Sequence, residues 1–233
     1  GIVAIDPTSP FSQGAILGDR IRMQDLTSDP GVFLRSMATR GNLGGLAPST
    51  AGVVTALDAF GKDVVLVETV GAGQDEVEVA AMADTTVVVV TPGTGDDVQA
   101  MKAGMMEIAD ILVVNKCDLP NADLLARQLA SIVDAAPAAR RPPILKTAGG
   151  LNEGIDALAG AIEEHRAYIA QAGVREQHRR EQARHQVLAL ARQRLLDRLL
   201  AQQASDGRLD ALVERVARRT LDPHSAADEL IGE

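Results

Sequence analysis

The chain holds 233 residues, 46% of them hydrophobic and 24% charged, which suits one α/β domain with an appendage and a buried core. Aromatic residues amount to 2% and Trp is absent, so the stacking platforms that single-stranded nucleic acid needs are missing. The formal net charge of −9 also opposes binding of polyanions, and nucleic acid is excluded as an expected partner.

Short continuous apolar runs mark strands at residues 1–5, 32–34, 63–67, 86–90, 111–114 and 143–145. Helical patterns fall between them at 51–60, 76–83, 97–109, 123–135 and 153–170. Runs that do not alternate polar with apolar are what strands look like when helices cover both sheet faces. The alternation therefore predicts a doubly wound, mostly parallel sheet, in which ligands bind beyond the C-terminal strand ends. No apolar run approaches the ~20 residues that span a bilayer, and the stretch 85–91 reads as a short buried strand.

From about Gly173 the character changes. Residues 175–203 contain no turn former and carry Leu188, Ala191, Leu195 and Leu199 at helical spacing, with Leu196 and Leu200 beside them. Seven Arg against Glu176, Glu181 and Asp197 make residues 175–198 locally basic, which reads first as a solvated helical face. A turn follows at Ser205-Asp206-Gly207, and Leu209, Leu212, Val213, Val216 and Ala217 form one face of a second helix. Asp222-Pro223 is an N-cap followed by Pro at the first helical position, opening a last helix. Residues 1–172 are thus expected to form one domain and 173–233 a helical extension. Its apolar stripe is buried either on that domain or in a dimer.

Chemistry gathers at the strand ends. Val113-Val114-Asn115-Lys116-Cys117-Asp118 is an apolar strand ending in N-K-x-D. A guanine ring offers an N1–H and an exocyclic amine on one edge, which the Asp118 carboxylate can accept together. Adenine lacks that pair of donors, so the contact favours GTP. Asn115 bonds the opposite edge and ties the loop down, while the Lys116 stem lies over the base. Lys146-Thr147-Ala148-Gly149 follows the last strand, where the backbone N–H groups of Thr147, Ala148 and Gly149 are in range of the guanine oxygen. The one cysteine, Cys117, excludes an intrachain disulfide.

A second strand delivers Glu68, with Gly71 three residues on and Gln74 beyond. A carboxylate there suits Mg²⁺, a hard cation that keeps part of its water shell. Glycine at 71 lets a backbone N–H approach a γ-phosphate, and such a loop relaxes on hydrolysis. Gln74 stands where it would orient the attacking water. Asp6 and Asp19 are turn or cap acids taken singly, and with Glu68 they form a set that converges on one cation.

Several longer stretches carry a resemblance. They are Asp6-Pro7-Thr8-Ser9-Pro10, residues 14–23 (GAILGDRIRM), residues 40–46 (RGNLGGL), residues 68–74 (ETVGAGQ) and residues 92–99 (PGTGDDVQ). Together they resemble the MeaB/ArgK GTPases, P-loop proteins of the metallocentre-assembly class, over residues 1 to about 170. The resemblance implies a P-loop NTPase-like fold with helices on both sheet faces and a C-terminal helical dimerisation arm. It implies a GTPase that gates cofactor loading and protects an adenosylcobalamin-dependent acyl-CoA mutase of the methylmalonyl-CoA mutase type, as a cytoplasmic or mitochondrial-matrix homodimer. It further implies Asp6, Asp19 and Glu68 around Mg²⁺, and Asn115, Lys116 and Asp118 on guanine. Asp96 and Lys102 would be the polar residues of a loop that responds to the mutase.

One departure stands beside the match. No G-x-x-x-x-G-K-[ST] loop occurs in the chain, and the Gly-rich residues 41–50 contain no Lys. Such a loop supplies the backbone cradle for the phosphates, and the family places it before the strand that opens this sequence. The chain is therefore expected to be a partial sequence, inactive in hydrolysis alone. Two alternatives remain at this point. One is a non-hydrolysing guanine-nucleotide-binding interaction module. The other is a nickel-metallocentre GTPase, which would favour a His- or Cys-rich stretch that four scattered His and one Cys do not provide.

Overall fold

The computed structural model describes residues 1–6, 23–38, 47–69, 80–93, 108–135 and 141–232. Six strands are assigned among them: β1 (Ile2–Asp6), β2 (Leu34–Ala38), β3 (Leu66–Thr69), β4 (Val87–Val90), β5 (Ile111–Val114) and β6 (Ile144–Lys146). The helices are α1 (Ala47–Ala59), α2 (Ala122–Ala135), α3 (Ile155–Ile169), α4 (Ala172–Asp206), α5 (Arg208–Ala217) and α6 (Pro223–Ile231). Short 3₁₀ turns occupy Gln24–Ser28 and Gly149–Leu151.

All strand pairs are parallel, as the continuous apolar runs predict. Among the described residues they form two three-stranded sheets, β2-β1-β3 and β4-β5-β6, where a single sheet was expected. In the first, Ala4 lies opposite Ser36 on one side and Glu68 on the other. In the second, Val113 lies opposite Val89 and Leu145. No ladder joins β3 to β4 among the described residues.

The expected covering of both faces holds for the central strands and fails at the edges. All four residues of β5 are buried, and Val3, Ala4 and Ile5 of β1 are equally inaccessible. By contrast Leu66 of β3 is 55% exposed and Val89 of β4 is 53% exposed, and among the described residues each of these strands has a neighbour on one side alone. Helix α2 explains one covered face. Ala122, Leu125, Leu129 and Val133 recur at three or four residues and bury a single stripe. That stripe meets Val90 and Val114 at one level and Val88 and Leu112 at the next.

Hydrogen bonds fix the opposite, N-terminal ends of β4 and β5. The Thr86 N–H donates to Asp110 Oδ2 at 2.8 Å, and His165 of α3 reaches Thr85 Oγ1 at 2.9 Å and Asp110 at 3.4 Å. Thr, His and Asp stand in line here, but at the strand ends away from the ligand side, so the network serves to pin α3 to the sheet.

Past α3, the single helix read over 175–203 extends in both directions to become α4, which packs against both α1 and α3. The stripe expected to bury is open at three of its positions: Ala191 is exposed, and Leu188 is 58% and Leu195 65% exposed. On α5 the stripe divides, with Leu212 buried against α6 and Val213 exposed. Arg215 grips Glu229 with both guanidinium nitrogens, at 2.6 and 3.2 Å, and so locks α5 to α6. The Asp222 cap forms as its sequence dictates. Its Oδ1 accepts from the N–H groups of His224 and Ser225, and its Oδ2 from the Ser225 hydroxyl at 2.6 Å. These bonds, the Ser225 hydroxyl foremost, hold the Asp222 carboxyl below its ordinary pKa. No described helix is long and apolar enough to cross a membrane.

Candidate functional site

The C-terminal end of β5 carries the best-defined group of polar side chains. Its core residues are fixed on both faces, so the chain leaves the sheet at Asn115 from a rigid base. The Asn115 N–H still belongs to the ladder, donating to the Val90 carbonyl at 2.8 Å. Lys116 then takes a left-handed backbone, with φ of 56°. For a side chain with a Cβ that conformation costs on the order of 1–2 kcal/mol. Strain of this kind persists where the surroundings over-determine it. Here the Cys117 N–H donates to the Thr147 carbonyl at 2.9 Å and the Leu119 N–H closes on the Lys116 carbonyl at 3.0 Å, so the turn is held on both sides.

Asn115 ties this turn to the segment after β6. Its Oδ1 accepts from the buried Thr147 hydroxyl at 3.1 Å and from the Gly149 N–H at 3.1 Å. Two donors on the oxygen fix which way the amide points. The Nδ2 amine is left to donate, which matches a guanine N7 acceptor. Asp118 is exposed and has no hydrogen-bond partner among the described residues. The carboxylate therefore remains available to the two ring-edge donors that adenine lacks.

The structure modifies the expectation for residues 147–149. The Thr147 N–H donates to the Val114 carbonyl at 2.9 Å and the Ala148 N–H to the Glu153 carbonyl at 3.0 Å. With Gly149 bonded to Asn115, all three amides are committed within the protein. In this structure these residues hold Asn115 and shape the turn. Two elements behind them escaped sequence reasoning. Glu153 bridges back to Ala148, and Gly154, with φ of +73°, closes the loop over β6. The signal was Gly154 after Asn152-Glu153, where Asn152 also takes φ of 56°. Alongside, the exposed Lys146 pairs with Asp123 of α2, and the lysine holds the Asp123 carboxyl below its ordinary pKa. An exposed pair of this kind contributes little to stability.

The acidic residues lie on the other sheet. Asp6 and Glu68 end the neighbouring parallel strands β1 and β3, and Ala4, two residues before Asp6, pairs with Glu68. Their Cα atoms are therefore separated by about 8 Å, from two residues of rise and one strand spacing. Glu68 is exposed at its strand end, where a hydrated cation has access. Gly71, Gln74, Asp19, Asp96 and Lys102 lie outside the described residues. Among the described residues no group of three His, Cys, Asp or Glu gathers to hold a metal. Of the three acids expected around Mg²⁺, Asp6 and Glu68 lie on neighbouring described strands and Asp19 lies outside the described residues.

Comparison with known proteins gives this arrangement its context. The family model described as methylmalonyl Co-A mutase-associated GTPase MeaB matches residues 1–204. A protein of Pyrococcus abyssi, provisionally named a GTPase, is 45% identical over 238 residues, covering 100% of this chain and 73% of its own length. GTPase ArgK of Escherichia coli is 33% identical over 235 residues, covering 98% of this chain and 71% of its own. A crystal structure of LAO/AO transport system kinase superposes with a TM-score of 0.67 over 99% of this chain and 70% of that one. At 24% identity that likeness speaks for the fold, which is P-loop GTPase-like, with parallel sheets and helices on both sides. The N-K-x-D turn on β5, the strand-end Glu68 and the match across residues 1–204 agree: the chain belongs to the MeaB family of methylmalonyl Co-A mutase-associated GTPases.

Proposed function

We propose that this protein binds GTP through Asn115, Lys116 and Asp118 and hydrolyses it to GDP with Mg²⁺ held near Asp6, Asp19 and Glu68. The observation that carries the reading is the doubly anchored Asn115 oxygen beside the open Asp118 carboxylate. One group is fixed as a donor and the other is free as an acceptor, which is the complement of a guanine edge. Glu68 fits a hard cation by its chemistry and its exposed strand-end position. Mg²⁺ there would offset charge on the β- and γ-phosphates. Gly71 would meet the γ-phosphate, Gln74 would orient water, and Asp96 and Lys102 would answer to a partner.

The cellular role follows the family description. We assign the protein to gating cofactor loading and protecting an adenosylcobalamin-dependent mutase of the methylmalonyl-CoA type, in the cytoplasm or a mitochondrial matrix. A homodimer through the C-terminal helices is supported by Leu188, Leu195 and Val213, large apolar side chains open on α4 and α5. Residues 1–172 would then form the nucleotide-binding unit and 173–233 the dimer arm.

Calorimetric titration of the full-length protein with GTP and ATP tests the first claim. GTP is expected to bind on the order of 100-fold more tightly, because a site built for base donors rejects the ring that lacks them. Equal affinities would overturn the base assignment. In the same preparation Glu68→Ala is expected to lower Mg²⁺-dependent turnover about 100-fold while GTP affinity changes only a few-fold. Unchanged turnover removes Glu68 from the metal site, and tight GTP binding without any turnover selects a non-hydrolysing module.

A further inference from the structure

Gln182 lies in the middle of α4, yet its side chain leaves the arm and engages a segment 98 to 100 residues earlier. Its Nε2 is 3.1 Å from the Met82 carbonyl, 3.0 Å from the Ala83 carbonyl and 3.3 Å from Asp84 Oδ1. Three acceptors around one nitrogen define it as the amine, since an amide oxygen there would face only lone pairs. One turn earlier on the same helix, His178 Nε2 is buried with no hydrogen-bond partner, 3.8 Å from the same Asp84. Two polar side chains of α4 thus converge on residues 82–84.

That segment has a particular place in the chain. It is the end of the connection that runs from β3, the strand that carries Glu68, to β4 at Val87. Met82 and Val67 both pack on the buried Ile5; Val67 is next in sequence to Glu68, and Ile5 to Asp6. On its far side Thr85 is held by His165 of α3, and Thr86 Oγ1 closes on the Ala80 carbonyl at 3.4 Å. The carbonyls of Met82 and Ala83 are consequently offered to the arm by a turn that is fixed at one end and joined to the metal-site strand at the other.

We propose that Gln182 is a positioning residue that couples the α4 arm to the nucleotide site by latching the connection that follows β3. The inference rests on the GTPase reading above and adds how the arm is informed of nucleotide state. The two halves of the latch are a donor on α4 and acceptors on the connection, so the chemistry of position 182 matters more than its shape. Glu is isosteric with Gln but brings only acceptors. Lys differs in shape but keeps donors and adds attraction to Asp84.

Hydrogen exchange on the full-length protein, loaded with GDP or with a non-hydrolysable GTP analogue, reads the coupling directly. The wild type is expected to show nucleotide-dependent protection at residues 80–84 and in α4 around 178–186. Gln182→Glu and Gln182→Ala should abolish the α4 difference while GTP affinity stays within about twofold, and Gln182→Lys should keep the difference. Circular dichroism confirms that each variant retains its helix content. An α4 indifferent to nucleotide in the wild type, or a Glu variant that behaves as wild type, overturns the proposal. A protein that binds neither nucleotide overturns the GTPase reading along with it, which separates the two failures.

Discussion

Replacing Asp118 with Asn is expected to weaken GTP binding by about 100- to 1,000-fold and to create affinity for xanthine nucleotides. Each hydrogen bond to a charged acceptor is worth about 1.5–3 kcal/mol, and every tenfold in affinity corresponds to about 1.4 kcal/mol. In the wild type the Asp118 carboxylate has no competing partner among the described residues, so both oxygens are available to N1–H and the 2-amine. Asn keeps one acceptor for N1–H but sets its own amine against the guanine amine. Xanthine carries a carbonyl at that position, and the pattern matches again. Competition between GTP and xanthosine triphosphate in a binding assay measures the exchange, and a variant with wild-type preference would remove Asp118 from the base site. The fold should be indifferent, because Asp118 is a solvent-facing side chain whose loss leaves no cavity.

The largest structural effect is expected at Gly154. Its backbone is left-handed, and a Cβ placed there would stand 2.2 Å from the Lys146 carbonyl oxygen and 3.2 Å from Thr147 Cα. These are main-chain atoms of β6 and the turn after it, so no side chain can rotate out of the way. Gly154→Ala combines a left-handed penalty of about 1–2 kcal/mol with displacement of the end of β6 and of the buried Thr147 after it, about 3 kcal/mol or more together. For a chain of this size that lowers the melting temperature by roughly 6–12 °C. Guanine affinity should fall as well, since Thr147 and Gly149 hold Asn115 from the displaced segment. Gly160→Ala is the control: nothing lies within 4 Å of its Cβ position inside α3. Helix propensity alone should make that change stabilising by about 0.5–1 kcal/mol. Equal melting temperatures for the two variants would show that the loop after β6 is not held by Gly154.

What the sequence made legible depended on how locally each feature is encoded. β5 stands at residues 111–114 as expected, because a strand buried on both faces needs four consecutive apolar side chains. The Asp222 cap and the open Asp118 were equally readable, each being a short-range pattern. β2 was not. The apolar run at 32–34 precedes the true strand, which contains Arg35 and Ser36 and is specified by its parallel register with β1. An edge strand owes its position to its neighbour, and hydropathy does not record that. In the site, Asn115, Lys116 and Asp118 were named from their motif, whereas the hydrogen bonds of Thr147, Ala148 and Gly149 were not foreseen. Their amides are spent on Val114, Glu153 and Asn115, partners that only the folded loop brings near. Gln182 had no sequence signal at all, since its acceptors are carbonyls about a hundred positions away.

The anchoring of Asn115 has one more consequence. Its oxygen is saturated by Thr147 and Gly149 before any ligand arrives, so the turns after β5 and β6 form one preset surface. The guanine ring is the same in GTP and GDP, and a surface that does not adjust gives both the same free energy. A contact of equal strength in two states shifts no population between them, however tight it is. On the proposed reading, this half of the site would set which nucleotide enters and how long it stays, and would be silent about whether the terminal phosphate is present. If the base is read after β5 and β6 and the terminal phosphate after β1 and β3, substitutions around β5 should alter occupancy without altering the ratio of the GTP- and GDP-bound states.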